Sequence, residues 1–145
     1  MYKRQVFVNG SEKKYNELSP FAISLGSAFQ KVNFLRDLKD DSKILNRVYF
    51  PNVDMNNFNE ESKREIISEI EEDFKNAIKG IVRLPKNSKF AVYIAYRYYF
   101  KLLKKLKRIS SENIVKKRVR IHNFQKFVVI ARSYVKYQLN LIQWI

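Results

Sequence analysis

Residues 25–41 read LGSAFQKVNFLRDLKDD, and two patterns are superposed in that stretch. The first is apolar. Leu18, Phe21, Ala22, Leu25, Ala28, Phe29, Val32 and Leu35 recur at helical spacing and predict one long helix over about residues 16–41 with a buried stripe. The second is polar: Gln30, Asn33, Asp37 and Asp41 fall three or four residues apart on a different face, with Gly26 one turn earlier. Asn and Asp are poor helix formers, so a solvated face would more often use Glu and Lys. Two carboxylates one turn apart, with amides beside them, suit Mg²⁺, which takes oxygen ligands from one or two carboxylates together with phosphate and water. Arg36, Lys43 and Arg47 could neutralise the remaining phosphate charge. The same stripe also fits the wet face of an ordinary amphipathic helix, and the residues alone leave both accounts open.

Outward from this stretch the chain stays helical. Residues 46–59, with Pro51 and several Asn, read as a loop. Asn59 is a natural N-cap for a second helix, with Glu60 and Glu61 where the helix dipole favours anions. Its buried stripe is Ile66, Ile70, Phe74, Ala77, Ile78 and Ile81, and Gly80 and Pro85 mark its end. A third helix over about 88–109 is apolar nearly all round in its first half, the pattern of a central helix. Its last turns keep Leu102, Leu103, Leu106 and Ile109 inward while Lys104, Lys105, Lys107 and Arg108 complement the dipole. A basic connection, 110–123, leads to a last helix over about 124–142. No alternating strand pattern or hairpin signal is present, so the fold class is all-α, part of a helical bundle.

Composition removes several function classes. With 145 residues, 46% of them hydrophobic, the chain can bury a core and is not a disordered segment. It has no cysteine, which excludes disulfides, thiolate nucleophiles and zinc–thiolate sites. Apolar runs such as 127–131 fall far short of the roughly 20 residues a membrane span needs. No signal peptide is legible, and a cytoplasmic setting is expected. His122 is the single histidine and has no Ser, Cys or Asp partner in sequence; no Gly-rich nucleotide loop is visible. The net charge of +15 is unevenly placed: residues 1–85 hold 14 Lys/Arg against 13 Asp/Glu, and residues 86–145 hold 15 against Glu112 alone. That asymmetry suggests an anionic partner for the second half, or simply a solvated lysine-rich surface. A small basic module binding nucleic acid or a membrane surface is the rival it supports.

The spaced pattern Leu25-Gly26, Gln30, Asn33, Arg36-Asp37, Asp41, followed by Arg47-x-Tyr49-x-Pro51, resembles the second aspartate-rich signature of squalene and phytoene synthases. The likeness continues through Phe74, the Leu84-Pro85 turn, the helix bearing Tyr99 to Leu106, and the basic segment from Arg118 to Lys126; the wording around Tyr49 to Asp54 is most similar to bacterial phytoene synthases. The resemblance implies an isoprenoid-synthase-type helical bundle, here in part, and head-to-head joining of prenyl diphosphates. It assigns Asp37 and Asp41, with Asn33 as a further ligand, to Mg²⁺ ions (Mn²⁺ as substitute) that hold a substrate diphosphate. Gln30 and Arg36 would contact substrate, Arg47 and Tyr49 would sit near the pocket mouth, and Tyr99 would line the reaction cavity as a catalytic aromatic. It leads us to expect two geranylgeranyl diphosphates giving phytoene, with squalene or dehydrosqualene from farnesyl diphosphate as the alternative. Prenyl diphosphates are then the partners, peripheral membrane association is compatible with lipid substrates, and no nucleic acid is expected.

Family members also carry a first aspartate-rich motif on an earlier helix. The acids in residues 1–32 are Glu12 and Glu17, so one metal clamp has no carboxylates there. The expectation is therefore that residues 1–5 lie outside the family pattern as a translated sequencing artefact, that 6–145 form the C-terminal part of one domain, and that this chain alone does not turn over.

Overall fold

A computed structural model describes residues 6–38, 50, 58–139 and 141–144. Among them every regular element is helical, as the sequence pattern predicts. A 3₁₀ turn, Val6–Val8, precedes α1 (Glu12–Asp37), α2 (Glu60–Ile81), α3 (Lys86–Arg108), α4 (Ser111–Lys116) and α5 (Asn123–Gln138), and a second 3₁₀ turn, Leu141–Trp144, follows.

Local chemistry sets the helix ends. Ser11 caps α1 by accepting from the Lys14 amide, so the helix starts four residues before the predicted position, and Pro20 is carried inside it. Asn59 caps α2 as expected, its Oδ1 accepting from the Glu61 and Ser62 amides. Pro85 stands at the N-cap of α3, which begins at Lys86 rather than Ser88. The basic connection holds a helical turn that the sequence pattern did not suggest, α4. Glu60 explains it, because its carboxylate accepts from the Ser111 amide and so caps α4 from another helix. That bond, with Lys63, holds the Glu60 carboxyl below its ordinary value. Its stabilising contribution is present above the ordinary carboxylate value and is lost as pH falls through the depressed one. The last helix ends at Gln138 rather than running on to 142.

Three helices make the core. Ala28, Val32 and Leu35 of α1 are fully buried with Ile66, Ile70 and Phe74 of α2. Phe21 meets Gly80 and Lys31 meets Glu69, so α1 and α2 run antiparallel. Gly80 lets them touch: a Cβ there would stand 2.4 Å from the Phe21 Cβ. Across this seam Ser27 donates to Asp73 at 2.7 Å and Lys31 pairs with Asp73 at 2.9 Å. α3 returns antiparallel to α2 through edge-on contacts of Phe74 with Tyr96 and Phe100 at 5.3 and 5.4 Å. Tyr93 and Tyr96 are core residues, and burial pushes Tyr96 up to about 12, so neither ionises near neutrality. Ala22, predicted to be inside, is exposed, whereas Phe34, outside the predicted stripe, is buried against Phe50 with ring centroids 5.3 Å apart.

Candidate diphosphate-binding face

The polar stripe of α1 emerges on the side turned away from α2. At its C-terminal end the Asp37 carboxylate, with 17% of its side chain exposed, receives two guanidiniums. Arg36, its neighbour in sequence, donates from Nε to both carboxylate oxygens at 3.0 and 3.1 Å. Arg118 reaches it from the α4–α5 connection, Nε to Oδ1 at 2.7 Å. The Val119 amide donates to the Arg36 carbonyl at 3.4 Å, which ties that connection to the end of α1. Hydrogen bonding to Asp37 raises the Arg36 guanidinium above its already high value, so it stays cationic.

One turn earlier, Asn33 donates from Nδ2 to the Tyr99 hydroxyl at 3.2 Å. Its Oδ1 is buried and accepts no hydrogen bond. Tyr99 stacks on Phe29 with ring centroids 4.0 Å apart and meets the edge of Tyr98 at 5.4 Å. The structure thus brings Asn33, Arg36, Asp37 and Tyr99 together across α1 and α3. Asp41, Arg47 and Tyr49, and Lys43 with them, lie outside the described residues. Gln30 is exposed one turn further back, and nothing lies within 4 Å of where a Cβ on Gly26 would stand.

Two cavities flank the stripe. Beside its first turns an apolar groove of about 450 Å³ is lined by Leu18, Phe21, Ala22, Leu25 and Gly26, with Gln30 at its edge. Beside its last turns a cleft of about 620 Å³ is lined by Arg36, Tyr98, Arg118, Arg120, His122 and Lys126. Lysines of α3 hold the wall of that cleft in place: Lys105 donates to the Arg120 carbonyl at 2.7 Å and Lys101 to the Gln125 carbonyl at 3.4 Å. Part of the positive charge of the second half therefore has structural work rather than a purely solvated one.

A family model for squalene/phytoene synthase matches residues 5–125. The chain belongs to the squalene/phytoene synthase family. The match takes in α1 to α4 and the start of α5, and leaves residues 126–145 beyond it. No curated protein and no solved structure gave a significant match. At the family level the chemistry is head-to-head prenyl transfer, and prenyl diphosphates are the substrates.

Sequence reasoning set Arg118 beside Lys116, Lys117 and Arg120 as cations that could hold diphosphate or an anionic lipid surface, or simply face water; in this squalene/phytoene synthase chain it is a direct partner of Asp37. The one signal was its place in an Arg118-Val119-Arg120-Ile121 alternation, whose apolar members are buried and so turn Arg118 and Arg120 outward. That alternation within a helical protein marks an extended segment packed on a core.

Among the described residues no three His, Cys, Asp or Glu gather into a cluster. Mg²⁺ does not need one when a diphosphate supplies oxygens. Asp37 brings a carboxylate already drawing cations, and Asn33 brings a buried amide oxygen without a donor. Hard oxygen donors on successive turns of one helix fit the ion in kind.

Proposed function

We propose that this chain supplies the diphosphate-gripping wall of a head-to-head prenyl transferase, whose leading reaction joins two geranylgeranyl diphosphates to phytoene through a cyclopropylcarbinyl diphosphate. Squalene or dehydrosqualene formation from farnesyl diphosphate is the second reading within the same chemistry. The observation that carries the proposal is the convergence of Arg36 and Arg118 on Asp37 one turn from the Phe29–Tyr99 aromatic pair, with an apolar groove at the other end of the stripe.

Asn33, Asp37 and, outside the described residues, Asp41 would hold Mg²⁺, with Mn²⁺ as a substitute. The ion would screen the diphosphate and absorb charge as the carbon–oxygen bond breaks. The rest of the work falls to the chain's own side chains. Arg36 and Arg118, both paired with Asp37, would turn guanidinium N–H groups onto phosphate oxygens, and each such charged bond would strengthen as the leaving group gains charge. Arg120, His122 and Lys126 extend the positive field along the cleft. Tyr99, fixed by Asn33 and stacked on Phe29, offers an aromatic surface to the allylic cation, and the apolar groove takes up prenyl carbons and keeps water from them. Gln30 lies between the two ends, where head group meets chain. Arg47 and Tyr49 belong to the same signature and are assigned to the mouth of the site.

Within residues 1–32 the acids are Glu12 and Glu17, so a second carboxylate pair has to come from outside that stretch. This chain incubated with Mg²⁺ and labelled geranylgeranyl diphosphate is accordingly expected to form no hydrocarbon. Calorimetry with Mg²⁺ and inorganic diphosphate tests the gripping wall separately. Binding that requires Mg²⁺ and disappears in Asp37→Ala supports the proposal; binding unchanged in that variant refutes it.

A further inference from the structure

Arg118 is one of the two guanidiniums on Asp37, and its own segment gives it little support. It is exposed, it follows the exposed Lys117, and α4 before it has six residues. A helix that short does not persist unaided, since isolated helices below about 12 residues are marginal in water. α4 also lacks a cap from its own sequence: Ser110 stands at its N-cap without a capping side-chain bond. Of its residues, Ser111 and Ile114 are the buried ones.

What fixes α4 is Glu60, in the first turn of α2. Both of its carboxylate oxygens are engaged: Oε1 accepts from the Ser111 amide and Oε2 from the Lys63 ammonium at 2.9 Å. The Lys63 side chain is 6% exposed, so Glu60 cannot swing away without stranding a buried charge. From Ser111 the path to the site is short. Ile114 is fully buried, the Lys117 amide closes the helix on the Asn113 carbonyl at 3.1 Å, and the Val119 amide then meets the Arg36 carbonyl. On the far side Lys105 holds the Arg120 carbonyl. Arg118 is slung between two anchors, one on α2 and one on α3.

We propose that Glu60 is a positioning residue for the diphosphate grip: by holding the first amide of α4, it sets the register at which Arg118 reaches Asp37. This role rests on Arg118 and Asp37 serving a metal-bound diphosphate, as proposed above, and two measurements tell the ideas apart. Hydrogen exchange needs no ligand. In Glu60→Ala the Val119 amide should exchange about ten-fold faster or more, while the core amides of Ile70 and Leu102 keep their rates. Calorimetry with Mg²⁺ and inorganic diphosphate should show an affinity about 5- to 30-fold lower. In an Arg118→Ala background the same substitution should cause no further loss, because Glu60 acts through that arginine. Glu60→Gln, whose side-chain oxygen still accepts from Ser111, should recover most of the affinity. If Glu60→Ala fails to fold with Lys63 stranded, Glu60→Ala with Lys63→Met removes the buried ammonium and replaces it in each measurement. Unchanged Val119 exchange overturns the proposal. So does an affinity that Glu60→Ala leaves intact, or one that it lowers equally with and without Arg118, which would mark a general loosening of the fold. If the wild-type chain binds no diphosphate, the proposed function fails, and the exchange rates decide whether Glu60 places the Arg118 segment.

Discussion

The two ends of the polar stripe on α1 belong to one helix face and open onto opposite environments. Gly26 and Gln30 border an apolar groove of about 450 Å³, whereas Asn33 and Asp37 lead to a basic cleft of about 620 Å³. The helix itself is the same at both ends. What differs is what packs beside it: Ala77, Gly80 and Ile81 of α2 with Leu84 at the first end, and Arg118 with its neighbours, brought in from 81 residues away, at the second. A surface divided in this way suits an amphiphile with a charged head and a hydrocarbon chain, and it can be taken apart one end at a time.

The largest effect is expected at the basic end. Asp37→Ala should weaken Mg²⁺-dependent diphosphate binding at least about 100-fold in calorimetry, since even indirect partners of a metal site are worth about 10–100-fold. It should leave the groove at the other end untouched. Arg118→Ala comes next. A hydrogen bond to a charged group contributes about 1.5–3 kcal/mol, so diphosphate affinity should fall on the order of 10–100-fold, and Arg118→Lys should recover little of it because the ammonium lacks the planar fork. The apolar end responds to the opposite probe. Gly26→Leu has room to fold and should fill the groove, lowering the affinity for a geranylgeranyl thiodiphosphate about 10-fold, as expected from loss of a few buried methylenes at about 0.8 kcal/mol each, with inorganic diphosphate binding unchanged. If that substitution weakens both ligands equally, the division between the two ends fails. Smallest should be Tyr99→Phe, which removes the hydroxyl that accepts from Asn33 and costs about 1 kcal/mol of stability, read from a lowered denaturant midpoint at unchanged slope, while the Phe29 stack remains.

The inner side of α1 was legible before any coordinates because burial follows helical period. Ala28, Val32 and Leu35 are where apolar spacing puts them. The N-cap of α2 was legible for an equally local reason, since Asn59 bonds to amides two and three residues on. The start of α1 was missed by four residues because the Ser11 side chain caps it ahead of the apolar pattern, and α3 begins two residues early, directly behind Pro85. α4 was missed because its cap, Glu60, comes from a distant part of the chain. Arg118 was weighed among several cations that could hold diphosphate, but its pairing with Asp37, 81 residues away, was not legible. Nothing within its own segment of sequence separates the arginine that meets Asp37 from the cations that face water.

By itself the sequence determined the helical class, the buried stripes of the three core helices and the residue types lined up along α1, since these depend on spacing within single helices. Through its spaced signature it also determined the family. Only the tertiary structure decided which cations serve the stripe and which hold up a wall, that the Tyr99 hydroxyl accepts from Asn33, and which flank of α1 is apolar and which is basic. Those outcomes rest on contacts between segments far apart in the chain, where distance in space sets the energy and distance in sequence carries no record of it.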